Sequence, residues 1–174
     1  MIVKLLELIK EEAEEQERDI ASELFKEGAA IATAVCASLR GPEVFMMELS
    51  ALRKHTPHKS NEGRHRFIDR TSHHHYIAWR IQGGIGVQYK YHHMSLASTT
   101  TSGIELRWWI ETLIRIREEE GCITGPAFGH KDGTVALMRE YDSILYHFLE
   151  RIQKEHPNLL ISKTDDIQAN YGLS

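Results

Sequence analysis

From Val3 to Glu17 the apolar residues fall at positions 3, 5, 6, 9 and 13 in a background of glutamate and lysine, the spacing of a helix with one solvated face. Asp19 is placed to cap a second helix, in which Ile20, Leu24, Ala29, Ile31, Ala32, Val35 and Leu39 form a stripe that broadens toward Arg40 and predicts burial there. Proline after Gly41 suits a first helical turn, so Val44, Phe45, Met47, Leu49 and Leu52 continue as a shorter helix. A polar loop follows. Tyr76 to Ile81 and Val87 to Tyr91 are rich in β-formers and are interrupted by Gly83-Gly84-Ile85-Gly86, a pattern that predicts a hairpin. After a turn-rich pause at 98–102, helical spacing returns from Ile104 to Glu120 and again from Val135 to Glu155, stopped by glycines at 121 and 125 and by His156-Pro157. The predicted class is α+β: mainly helical, with a small antiparallel sheet.

At 174 residues and 41% hydrophobic content, the chain has enough apolar material for one core. Neither Cys36 nor Cys122 belongs to a disulfide framework or thiolate metal motif, which reads as intracellular, and no apolar run reaches the roughly 20 residues of a membrane span. The net charge of −4 excludes a surface coated throughout for nucleic acid. Its distribution is uneven. Glu7, Glu11, Glu12, Glu14, Glu15, Glu17 and Asp19 face only Lys10 and Arg18, whereas Arg53, Lys54, Lys59, Arg64, Arg66 and Arg70 face only Glu62 and Asp69.

Two clusters invite chemical readings. Histidines at 73–75, with His92 and His93, suggest a metal, but adjacent strand residues point to opposite faces and no acidic or cysteine ligand completes a tetrahedron, so no metal site is expected. The glycines at 83, 84 and 86 precede no helix and read as a hairpin turn rather than a nucleotide loop. Trp79, Trp108 and Trp109 read as packing residues.

Ser38-Leu39-Arg40-Gly41-Pro42-Glu43, lying between two helices and ahead of a hairpin, resembles the Gly-Leu-Arg-x-x-Glu signature of tyrosine recombinases, the phage-type integrases, with serine in place of the first glycine. His93-Met94-Ser95-Leu96 occupies the place of that family's exit from the hairpin, and Gly125-Pro126-Ala127-Phe128 is similar to its Gly-Pro-Leu-Phe segment. The likeness covers about residues 20–174. It implies an incomplete DNA breaking-rejoining fold, with 1–18 as an N-terminal acidic helix and 19–174 as part of a catalytic domain. It also implies that the family's His-x-x-Arg cluster and tyrosine nucleophile would lie beyond Ser174; Tyr171 comes too early for the latter.

The resemblance assigns roles by position. Arg40 would bind and activate the scissile phosphate, as a rigid guanidinium fork does well, and Glu43 would orient it. Lys90, the one hairpin lysine, is the candidate general acid, although alignment from Leu96 brings Gln82 nearer the family's position, and an amide cannot donate that proton. Arg53, Lys54, Lys59, Arg64 and Arg66 would neutralise DNA phosphates. The implied partners are DNA and further copies of the chain on DNA, with no membrane and no cofactor, inside the cell and in the nucleus of a eukaryote. Two other readings stand beside it: a helical protein-interaction module without catalysis, and a metal-dependent hydrolase built on the histidines.

Overall fold

The computed structural model describes residues 1–39, 41–45, 47–49, 52, 76–82, 91–97 and 99–159, the two strands by their backbone. It is mainly helical. The elements run α1 (Ile2–Glu15), α2 (Arg18–Ala37), α3 (Gly41–Phe45), β1 (Tyr76–Gln82), β2 (Tyr91–Ala97), α4 (Leu106–Glu119), α5 (Met138–Glu155) and a 3-10 turn at Pro157–Leu159. Among the described residues no helix is long and apolar enough to cross a membrane.

The second helix is the centre of the structure. It packs against α1, α3, α4 and α5, and every residue from Lys26 to Ala34 is buried. Gly28, Ala29, Ala30, Ala32 and Ala34 make this possible, because small side chains let neighbouring helices approach on all sides, as expected of a helix buried all round. The stripe read from the sequence is therefore incomplete at both ends: Ile20 and Val35 are exposed at 51% and 44%. The helix also starts at Arg18, with Glu17 in the cap position and no side chain capping it, so Asp19 lies in the first turn.

Helix α1 contributes Leu5, Leu6, Leu8, Ile9 and Ala13 to the same core, and α5 contributes Leu145, Phe148, Leu149 and Ile152. The acidic helix at the N-terminus is thus packed on α2 and α5. Its outer face carries ion pairs: Glu12 meets Arg151 of α5 at 3.3 Å, and Lys4 meets Glu7 at 3.6 Å. From α4 come Trp109, Ile110, Leu113 and Ile116. Trp109 is buried, while Trp108 is half-buried with the Lys10 ammonium 4.5 Å from its ring centre.

The strands pair antiparallel with Tyr76 opposite Ala97 and Gln82 opposite Tyr91. The second strand is described over Tyr91–Ala97 and meets the expected Val87 to Tyr91 at Tyr91; residues 83–90, which hold the expected glycine turn and the rest of that stretch, lie outside the described residues. His93-Met94-Ser95-Leu96 is consequently inside the strand and not at its exit. His92 stands opposite Ile81 and His93 opposite Arg80. Backbone proximity places β1 beside α3 and β2 beside α2. Helix α5 begins at Met138 and not at Val135, because Val135 forms an isolated bridge with Gly129 and Glu140 returns its carboxylate to the Leu137 N–H at 2.9 Å.

Candidate functional site

Helix α2 stops in a left-handed residue. Ser38 has φ 52° and ψ 41°, alone among the described non-glycine residues in having positive φ. Its N–H bonds the Val35 carbonyl at 3.4 Å, and the Leu39 N–H reaches the Ala34 carbonyl at 2.9 Å. That pair is the Schellman arrangement, which satisfies the last carbonyls of a helix and turns the chain sharply; glycine is its usual residue because a Cβ is strained there. Arg40 follows, outside the described residues, and α3 opens at once with Gly41. Glu43 lies half-buried in the first turn of α3 and is engaged in a contact of its own.

Just after α3 the chain is stitched to a distant segment. The Leu49 N–H donates to the Gly125 carbonyl and the Ala127 N–H to the Met47 carbonyl, both at 2.8 Å, closing an antiparallel bridge between Glu48 and Pro126. Phe128 then enters the core, its ring edge-on to Phe45 at 6.2 Å, while Phe45 lies 4.8 Å from Tyr141. The Tyr141 hydroxyl donates back to the Phe128 carbonyl at 3.3 Å. The two sequence motifs 125–128 and 38–43, far apart in the chain, are thereby brought to the same end of the bundle.

A fully buried arginine of α4 fixes this junction. Arg117 Nη1 donates to the Gly129 carbonyl at 2.7 Å, the His130 carbonyl at 2.9 Å and Glu120 Oε2 at 2.5 Å. Its Nη2 reaches the Pro126 carbonyl at 3.5 Å. Close approach to the loop depends on Gly129, where an added Cβ would sit 2.7 Å from both Pro126 Cγ and the Thr134 carbonyl oxygen. The other carboxylate oxygen of Glu120 holds the buried Lys26 Nζ at 2.6 Å, and Lys26 also meets Glu23 Oε1 at 2.9 Å. Glu120 therefore bridges the cations of α2 and α4.

One carboxyl has no such partner. Both oxygens of Glu27 are buried without a hydrogen bond. Burial, reinforced by the nearby Asp142 charge, pushes its pKa well above the usual carboxylate range. Burial likewise raises the Tyr141 phenol, with the Glu23 charge acting the same way.

A cleft of about 330 Å³ opens between the start of α2 and the end of α4, lined by Arg18, Asp19, Ser22, Glu23, Glu119 and Lys131 among others. Arg18 and Glu119 meet across it at 2.9 Å. Signs are mixed there, and its hydroxyl and carboxylates form no nucleophile–base pair. Among the described residues no group of three or more histidine, cysteine, aspartate or glutamate side chains is placed to hold a metal ion.

Of the residues singled out from the sequence, Arg40, Lys90, Arg53, Lys54, Lys59, Arg64 and Arg66 lie outside the described residues, as do His73, His74, His75 and Tyr171. Gln82 ends β1, opposite Tyr91. Sequence reasoning missed Arg117, Lys26, Glu27 and Glu120, which sit in helical stretches where charges ordinarily mark the solvated face. Comparison with protein-family models, curated proteins and solved structures gives no match to this chain.

Proposed function

We propose that this chain is the DNA-contacting part of a tyrosine-recombinase-type domain, acting in DNA integration and site-specific recombination. The observation that carries the reading is the sharp reversal at Ser38 and Leu39, with the 125–128 segment bonded to Met47 and Leu49 just after the helix that follows. Arg40 is the residue between this turn and α3 in sequence, and a guanidinium is a rigid, always-charged group suited to a phosphate ligand. The half-buried Glu43, one turn into α3, is suited to orient that group.

In this reading the fold is the incomplete DNA breaking-rejoining type, and the basic stretch holding Arg53, Lys54, Lys59, Arg64 and Arg66 adds affinity through phosphate neutralisation. Copies of the chain associate on DNA, inside the cell. Lys90 would be the general acid. Covalent strand cleavage needs a nucleophile that none of the assigned residues supplies, so the testable activity is binding.

Fluorescence anisotropy with a labelled duplex over a salt series tests the proposal. Log affinity is expected to fall linearly with log salt, and Arg40→Ala to weaken binding and reduce the slope by about one phosphate contact. Failure to bind at low salt overturns the reading. So does an Arg40→Ala protein that is folded and binds as the parent does.

A further inference from the structure

We infer that the buried Glu27 carboxyl of α2 holds a proton in the folded chain, so that the helical core is most stable with that proton bound and is weakened when it leaves. The geometry requires it. Both carboxyl oxygens are buried and neither has a hydrogen-bond partner. An ionised carboxylate in such a place is far more costly than a neutral one, because nothing replaces the water it has lost.

The neighbouring cations are already engaged. On α2, Lys26 is shared between Glu23 and Glu120. On α4, Arg117 is engaged through its two terminal nitrogens with Glu120 and the carbonyls of Pro126, Gly129 and His130, while its buried Nε has no partner and makes no bond to Glu27. The side of α5 presents Asp142, which repels a second negative charge, and Tyr141, whose hydroxyl is directed at the Phe128 carbonyl. Helix α1 buries only apolar residues, and the acidic group of α3 is Glu43. β2, described by its backbone, also touches α2 and carries His92 and His93. Charge on Glu27 thus meets repulsion from Asp142 and no hydrogen bond from Lys26 or Arg117.

The direction with pH follows from proton linkage. The unfolded chain releases this proton near the ordinary glutamate value of 4.5, whereas the folded chain keeps it to well above that. The folded state therefore binds the extra proton in between, and stability is lost as pH rises. The unfolding equilibrium constant attributable to this group climbs about tenfold per pH unit until the folded carboxyl itself ionises, and is then level.

Chemical denaturation of the full chain and of Glu27→Gln between pH 5 and 8 reads this directly, since the ratio of the two unfolding constants cancels the other titrating groups. A ratio of parent to variant that rises with pH, by about tenfold per unit until the folded carboxyl ionises and level after that, is expected. Parallel profiles overturn the inference. Infrared difference spectra supply a second measurement that does not need a stable variant: the folded parent at pH 6, above the ordinary glutamate value of 4.5, is expected to show a protonated-carboxyl stretch that shifts on labelling glutamate with carbon-13 and disappears on unfolding. A native protein without that band overturns the inference as well.

Discussion

The indole of Trp109 occupies the space in which a side chain at Gly28 would begin: a Cβ built on Gly28 would overlap Cζ3 and Cη2 of the ring. This contact sets the separation of α2 and α4. Glycine within an exposed helix costs about 1 kcal/mol relative to alanine, so Gly28→Ala would stabilise a free helix. Here the methyl group must displace a buried ring, and overpacking of that kind costs about 1–3 kcal/mol. Gly28→Ala is therefore expected to lower the melting temperature by several degrees, at about 2–4 °C per kcal/mol for a chain of this size. A melting temperature at or above the parent's would show that the helices separate without cost.

Ser38 makes the opposite prediction. Its left-handed backbone closes the Schellman turn at the end of α2, and a Cβ in that conformation carries strain of roughly 1–2 kcal/mol. Ser38→Gly relieves the strain, less the greater freedom glycine has in the unfolded chain, for a net stabilisation of about 0.5–1 kcal/mol. Ser38→Val should do the reverse. Thermal melts of the pair check both signs.

The buried ions of α2 and α4 behave as one unit. Removing Arg117 leaves Glu120 short of a partner and releases the carbonyls of Gly129 and His130, so Arg117→Met is expected to cost about 3–5 kcal/mol. Lys26→Met strands the same carboxylate from the other side. Because both losses fall on Glu120, the double variant should be less destabilised than the sum of the singles, by about 0.5–3 kcal/mol. Additive losses in urea titrations would mean that the two cations act independently.

Much of the helical framework is legible in the chain. The pattern at 104–120 locates α4 within two residues, since leucine, isoleucine and tryptophan repeat there at helical spacing between a turn and a glycine. The antiparallel pair is legible in kind, and its second strand is described beyond the stretch that the β-formers mark. Valine and tyrosine at 87–91 mark β-propensity, but pairing is decided by contacts across the sheet, and the described strand runs on through Tyr91–Ala97 with its histidines and serine. The charged interior is the part that could not be read. Lys26, Glu27 and Arg117 look in sequence like the polar faces of helices; the central position of α2, created by its run of glycine and alanine, turns the first two inward, and the carbonyls of 126–130 take in Arg117. Ser38 is hidden for a related reason: serine carries little signal for a left-handed residue, whereas glycine there would have marked the helix end.

The acid side of the pH profile turns on a surface loop. Asp132 accepts from the Thr134 hydroxyl at 2.6 Å and the Thr134 N–H at 2.9 Å. The hydroxyl bond is the chief cause that holds its carboxyl below the ordinary aspartate value of 3.8, with the backbone bond next and the neighbouring His130 helping. A depressed carboxyl favours the fold when ionised, so its contribution is present above the unfolded value and disappears as pH falls through the folded one. In Thr134→Val the chief bond is lost while the backbone donor remains. The Asp132 carboxyl carbon, followed by NMR, is then expected to titrate at higher pH than in the parent. An unmoved midpoint would assign the depression to the backbone turn alone and shift the cause from residue 134's side chain to its N–H.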